Sequence, residues 1–346
     1  MKNQAAYMTD LHKIEIRNTE VPKPKDDEVL VKIEYVGICG SDVHFYEAGK
    51  IGDFIIEPPF ILGHETAGIV EEVGSDVKDL KPGDKVALEP SVPCRSCSMC
   101  RQGKYNLCPD VKMMAAPPYN GALTKYLTHP AAFSYKLPGN VSTMEGALIE
   151  PLAVGLHAIA QGGVALGDSV TVLGAGCIGL VSLLSAKGAG AGRVYVADIE
   201  DKRLEFAKKL GATETINAKE VDTIEKIGTL TEGLGTDKVI ECAGSPVTIA
   251  QTPHLVSRDG TIVLVGMSLQ DEINYNLMQL ILKEASLTTV FRYRNKYPVA
   301  IEAIASRAIK IKDIVTHTFD FEDTKKAFDF VIENPSDVVK AVIKVG

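Results

Sequence analysis

Tryptophan is absent from this 346-residue chain, so a fluorescent ligand can be followed against little protein background. Basic residues are in the minority: 37 Lys and Arg stand against 45 Asp and Glu, for a net charge of −8. No basic patch stands out, which removes the electrostatic footprint expected of a nucleic-acid or anionic-membrane partner. No uninterrupted apolar run is long enough to cross a bilayer. The opening stretch MKNQAAYMTDLHKIEI lacks the apolar core of a signal peptide, so the cytoplasm is the expected location. Tandem repeats and low-complexity tracts are missing too. At 45% hydrophobic and 24% charged residues the composition is that of an ordinary globular protein, long enough for two domains.

More than half of the seven cysteines fall within fifteen residues, at Cys94, Cys97, Cys100 and Cys108. Their spacing, C-x2-C-x2-C-x7-C, matches the all-sulfur tetrahedral shell of a structural zinc ion. It fits a reducing compartment better than a disulfide framework. A closed four-sulfur shell has no open position, so any zinc chemistry must use other ligands.

The first third of the chain is rich in strands and turns. Residues 29–36, 67–73 and 85–88 read as strands, with a turn signal at Lys81-Pro82-Gly83-Asp84. A compact β-barrel with loops is expected, interrupted by the cysteine lobe at 91–110. Near Glu150-Pro151 the character changes to alternating strands and helices. Strands are expected at 169–173, 193–198, 213–217, 238–242 and 261–265, with helices at 177–189 and 201–210. That alternation implies a doubly wound parallel sheet. After about 290 the pattern shifts again, with a helix at 298–308, and the tail is expected to rejoin the first domain. The expected division is therefore 1–151, 152–289 and 290–346.

Gly174-Ala175-Gly176-Cys177-Ile178-Gly179 is a G-x-G-x-x-G between an expected strand and an expected helix. The first glycine makes the tight turn, the second admits a pyrophosphate and the third lets helix pack on sheet. Asp198, roughly twenty residues on, is placed to bond the adenosine ribose and to repel a 2′-phosphate. NAD rather than NADP is the expected cofactor. Arg203 nearby could partly accommodate such a phosphate, and it also fits stacking over the adenine.

Outside the lobe, Cys39 lies in GICGSDVH (37–44) and His64-Glu65 in LGHETAG (62–68). Each alone reads as blandly as a core residue or a surface charge. With the glycine turn, the lobe, VGICGSDVHFYEAGKIG (36–52), GALIEPLAVGLHA (146–158), VFRYRN (290–295) and Val315-Thr316-His317, the chain resembles the zinc-containing medium-chain dehydrogenases. The resemblance covers essentially the whole chain, and Ile149-Glu150-Pro151 with Phe291-Arg292-Tyr293 favours the sorbitol (L-iditol) and xylitol dehydrogenase branch.

That resemblance implies a GroES-like catalytic domain and a Rossmann coenzyme domain. It implies two zinc ions per chain, one structural and one catalytic. Cys39, His64 and Glu65 would hold the catalytic ion, with Glu150 beside it through water or a substrate hydroxyl. Ser41 and His44 match a proton relay. Phe45, Glu150, Arg292 and Tyr293 would line the substrate site, Phe45 standing where several animal relatives carry a tyrosine. Gly174, Gly176, Ile178, Gly179, Asp198, Arg203, Val265, Gly266, Met267, Val290, Phe291 and Arg292 would contact the cofactor. The implied reaction is reversible oxidation of a polyol to a ketose with NAD, by a homotetramer. Another zinc alcohol dehydrogenase, acting on butanediol, galactitol or threonine, is the alternative, and a non-catalytic nucleotide-binding relative is a second.

Overall fold

The computed structural model describes residues 2–268 and 270–346, which partition into two units. One comprises 1–150 and 297–346, the other 151–296. Residues 290–296 stay with the second unit: the Val290 amide donates to Leu264 O (2.9 Å) and Arg294 to Gln161.

The first unit is built on a sheet ordered Ser134–Lys136, Lys85–Leu88, Glu65–Val73, Glu28–Gly37, Lys340–Lys344 and Val315–Asp320, with Tyr126–Pro130 also paired to Glu28–Gly37. The strand Glu28–Gly37 is its hub. Its β-branched residues Val29, Val31, Ile33 and Val36 are fully buried, which suits a strand paired with several neighbours. The register places Gly37 opposite Glu65 on one side and opposite Val342 on the other. A Cβ on Gly37 would collide with the Glu65 carboxylate. The glycine therefore makes room for an acid inside the barrel.

Two further devices shape this end of the unit. The helix Gly40–Ala48 starts directly after the hub strand, with Cys39 as its N-cap. Gly63 has φ of 91°, and a Cβ there would press on Val36 and Leu123. That left-handed conformation turns the chain so that His64 and Glu65 enter the next strand from the interior.

The second unit is a six-stranded parallel sheet, ordered Glu214–Asn217, Arg193–Asp198, Ser169–Leu173, Thr236–Glu241, Val256–Leu264 and Ser286–Thr289. Numbered along the chain this order is 3-2-1-4-5-6, the doubly wound arrangement whose direction reverses beside the first strand. Ser169–Leu173 is buried along its whole length, as a central strand covered on both faces must be. Cys177–Gly188, Asp201–Lys209, Thr223–Leu230, Pro246–Leu255 and Leu277–Lys283 are the helices of this unit that follow its strands. No described helix is long and apolar enough to cross a membrane.

Candidate metal centres and nucleotide-binding turn

Cys39, His64 and Glu65 converge. One ligand atom from each lies within 4.8 Å of the others, although they arise from a helix N-cap and a strand entrance. His64 and Glu65 are 5% and 1% exposed, so water does not satisfy them freely. Their neighbours fix their orientation. Asp42 is buried and accepts hydrogen bonds from the amides of Gly63 (2.9 Å) and Cys39 (3.1 Å). Its Oδ1 also faces His64 Nδ1 at 3.5 Å, which leaves Nε2 as the ring nitrogen for a metal. Burial alone would raise the Asp42 carboxyl, but His64 and the two amides outweigh it and hold it low. Burial likewise favours neutral His64, but Asp42 and the Cys39 sulfur together raise its pKa well above the ordinary value.

On the other side, Lys340 is 3% exposed and donates to both Glu65 oxygens, at 2.7 and 2.9 Å, and to Ile38 O at 3.0 Å. A thiol, an imidazole held by Asp42 and a buried carboxylate held by Lys340 form a donor set suited to zinc. Three protein ligands leave the fourth tetrahedral position open, as catalytic zinc requires. Glu150 is buried in the first turn of the helix Ile149–Gly162, but lies outside this 4.8 Å cluster. Ser41 is half-buried and His44 exposed, one helical turn apart. Phe45 is 4% exposed and packs in the barrel core.

The second cluster is the cysteine lobe, whose four sulfurs also lie within 4.8 Å of one another. Backbone amides point at the sulfurs: Cys94 N to Cys108 Sγ and Cys97 N to Cys94 Sγ at 3.3 Å, Cys100 N to Cys97 Sγ at 3.5 Å. Amide and hydroxyl donors from Ser96 and the amide of Cys97 lower the Cys94 thiol to about 6, whereas burial and the neighbouring sulfurs push Cys100 up to about 12. Four adjacent thiols cannot all shed their protons unaided, and a divalent cation removes that conflict. The lobe is tied to the barrel by Glu89, which is fully buried and accepts from Tyr105 Oη (2.8 Å) and Tyr135 Oη (2.9 Å). Arg95 stacks 5.2 Å from the Phe133 ring centroid.

In the second unit, Gly174 has φ of 96°, and a Cβ on Gly179 would collide with Gly174 O. By contrast, nothing lies within 4 Å of where a Gly176 Cβ would be. The N-terminus of Cys177–Gly188 thus opens on a cradle that fits a pyrophosphate. Asp198 pins the turn: one oxygen accepts from Ala175 N (2.6 Å), the other from Ile199 N (2.7 Å) and Glu200 N (2.9 Å). Val265 and Gly266 donate to Glu241 O, and the Glu241 side chain holds the amides of Ala243 and Gly244. Met267 and Phe291 are exposed, and Ile178 and Val290 half-buried.

Residues 25–139 match the family model for the alcohol dehydrogenase GroES-like domain, and 177–306 that for the zinc-binding dehydrogenases. A sorbitol dehydrogenase of Bacillus subtilis is 41% identical over 98% of this chain and 96% of its own. Among solved structures, an oxidoreductase/dehydrogenase of unknown specificity from Escherichia coli has a TM-score of 0.96 at 49% identity, covering all of both chains. This chain is a zinc-containing medium-chain dehydrogenase. It belongs with the sorbitol and xylitol dehydrogenase branch, and its two units are the GroES-like and Rossmann domains of that family. A zinc-binding dehydrogenase of Sinorhizobium meliloti bound to NADP has a TM-score of 0.92 at 31% identity over the full length of both chains.

Sequence reasoning named the residues of both converging clusters but passed over Lys340, Glu89, Glu241 and Asp42. A signal for Lys340 existed: a lone cation inside the apolar run Val338-Val339-Lys340-Ala341-Val342 needs a buried partner.

Proposed function

We propose that this protein oxidises a secondary hydroxyl of a polyol, such as sorbitol or xylitol, to the ketose with NAD, and runs in reverse when cofactor and substrate ratios demand. The observation that carries this reading is the convergence of Cys39, His64 and Glu65 on a point with one position left open. Bound there, zinc would supply Lewis acidity, which can lower the pKa of a coordinated water by about 9 units, and NAD would accept the hydride. At 1.36 kcal/mol per pKa unit this is a ceiling of about 12 kcal/mol.

The chain's own residues do the rest. Asp42 holds the His64 tautomer, and Lys340 aims the Glu65 carboxylate. Glu150, buried at its helix start, orients the reacting hydroxyl. Ser41 Oγ would take the hydroxyl proton as it gives its own to His44, which, exposed one turn on, passes it to solvent. Arg292 and Tyr293 hydrogen-bond the remaining hydroxyls. Unpaired polar groups in a dry pocket cost roughly 1–3 kcal/mol each, so such donors discriminate against simple alcohols. Cys94, Cys97, Cys100 and Cys108 hold a second, structural zinc.

Asp198, at the end of the strand Arg193–Asp198, supports NAD over NADP, because a carboxylate in that position would repel a 2′-phosphate. A panel of alcohols with each cofactor tests the proposal on the zinc-loaded enzyme. Polyols with NAD are expected to exceed simple secondary alcohols, and NAD to exceed NADP by roughly a hundredfold in kcat/KM, about 3 kcal/mol. Preference for NADP, or for an unsubstituted alcohol, would contradict it.

Lys340→Met is expected to cost the metal-free protein about 3–5 kcal/mol, since it strands a buried carboxylate. Zinc would restore much of that loss by supplying the missing positive charge. Thermal unfolding with chelator and with zinc measures this. An equal drop in both states would remove Glu65 from the ligand set.

The assembly is proposed to be a homotetramer in the cytoplasm. Support comes from the sheet edge at Ser286–Thr289, beside which Leu277, Met278, Ile281 and Leu282 are all at least 60% exposed. An open strand edge flanked by apolar side chains suits pairing with a second copy.

A further inference from the structure

Val315-Thr316-His317 is among the motifs that carry the family resemblance, yet no step of the proposed reaction uses it. In the fold it opens the strand Val315–Asp320, at the edge of the first unit's sheet beside Lys340–Lys344. The pairing of these two parallel strands is irregular at one place. Val315 lies opposite Lys340 and His317 opposite Ala341, so Thr316 is an extra residue without a place of its own in the ladder. Such bulges re-aim neighbouring side chains and are common next to active sites.

The Thr316 hydroxyl takes over from the ladder there. It accepts from Val339 N at 3.2 Å and donates to Lys340 O at 3.1 Å. One hydroxyl thus clasps the backbone on either side of the Val339–Lys340 peptide. The bulge is anchored in turn by His317, whose ring centroid lies 4.8 Å from that of Phe330. At the far end of its side chain, the Lys340 ammonium has three donors and faces three acceptors: Ile38 O at 3.0 Å and the Glu65 oxygens at 2.7 and 2.9 Å. Ile38 precedes Cys39 and Glu65 follows His64, so this one cation touches both segments that supply the metal triad. A metal held by Cys39, His64 and Glu65 must share the carboxylate with Lys340, and the reach of the ammonium governs that sharing.

We propose that Thr316 is a positioning residue of this metal centre: through the Val339–Lys340 backbone its hydroxyl sets the reach of the Lys340 ammonium, and so the hold of Glu65 on the metal. This rests on the metal-dependent polyol reading above and adds to it a residue that acts through two others.

The test compares Thr316→Val, which removes the hydroxyl but keeps the branched shape, with Thr316→Ser, which keeps the hydroxyl. Partners behind metal ligands are worth about 10- to 100-fold in metal affinity or activity, and a residue one step further back belongs at the lower end. Zinc affinity is read by chelator competition on the full-length protein, the triad's ion being the one that Cys39→Ser lacks. In Thr316→Val that ion is expected to bind about tenfold more weakly, and kcat/KM for polyols to fall by a similar factor. The cobalt-substituted spectrum of the triad, taken as the difference from cobalt-loaded Cys39→Ser, should change as well. Affinity for the lobe ion and the Kd for NADH should hold, and Thr316→Ser should return every readout toward wild type. If Thr316→Val does not fold, Thr316→Ala takes its place with the same readouts. A lower Tm with wild-type zinc affinity and cobalt spectrum, equal weakening of both ions, or a Thr316→Ser that behaves like Thr316→Val overturns the proposal. A wild type that binds the triad's ion but oxidises no polyol ends the polyol reading alone, because the affinity and cobalt readouts involve no substrate and still decide the role of Thr316.

Discussion

Cys39→Ser is expected to lower kcat/KM for polyol oxidation by about 10⁴-fold or more while NADH binding stays within a few-fold of wild type. The substitution is chosen for what it leaves intact. Cys39 is the N-cap of Gly40–Ala48, and serine is among the best N-cap residues. The helix, and with it Asp42, should therefore keep its place. What disappears is the thiolate, the softest of the three donors beside His64 and Glu65. A drop of 10⁴ is about 5.5 kcal/mol, less than half of the roughly 12 kcal/mol ceiling assigned to the metal. It lies at the top of the 10²–10⁴-fold range typical of general acid–base catalysis, so loss of a proton relay would have to be at its largest to match it. The cofactor turn lies in the other unit and is built from Gly174, Gly176, Gly179 and Asp198, which the change does not touch. Single-turnover kinetics and an NADH fluorescence titration, helped by the lack of tryptophan, measure the two halves separately. Retained kcat in a variant shown to lack metal between His64 and Glu65 would exclude this site from the chemistry.

Cys97→Ser should act on stability instead. Cys97 caps the short helix Ser98–Arg101 and accepts from the Cys100 amide. Serine preserves the cap but not the sulfur shell. Structural zinc contributes roughly 10–16 kcal/mol of folding free energy in isolated zinc-finger peptides, an upper bound for a lobe already tied down by Glu89 and Arg95. Even a third of that lowers Tm by about 10 °C in a domain of this size. Limited proteolysis is expected to cut first between residues 94 and 108, and zinc content to fall from two ions per chain to one. A variant with wild-type Tm, full activity and one zinc throughout would refute the second ion.

The two units were legible to different degrees. In the second, fully buried strands such as Ser169–Leu173 read as short apolar runs, and the glycine turn announces where the first helix begins. The helices Thr223–Leu230 and Pro246–Leu255 were not read from sequence; the second has Pro246 and Pro253 within it, which obscures any helical pattern. The helix expected at 298–308 runs instead over Tyr297–Ala305 and ends before Arg307, whose φ is 65°. Strand 261–265 proved the end of a longer strand, Val256–Leu264, because Asp259 and Gly260 read as a break although the chain continues through them.

The first unit depends on distant pairings that local patterns do not encode. Nothing near residue 37 says that Lys340–Lys344 will lie against it, yet this pairing delivers Lys340 to Glu65. The metal triad was legible through resemblance, as chemistry-bearing residue types in familiar short motifs. Its supports were not, since Asp42 and Lys340 act through contacts spanning 21 and 275 residues of sequence.

The proposed chemistry requires a metal ion bound by Cys39, His64 and Glu65, and anomalous diffraction at the zinc absorption edge tests that most directly. Crystals of the zinc-loaded protein should show two peaks per chain, one among the four sulfurs of the lobe and one bonded to Cys39 Sγ, a His64 ring nitrogen and a Glu65 oxygen. A peak in the lobe alone, with Lys340 still holding both oxygens of Glu65 in crystals active toward polyols, would contradict it.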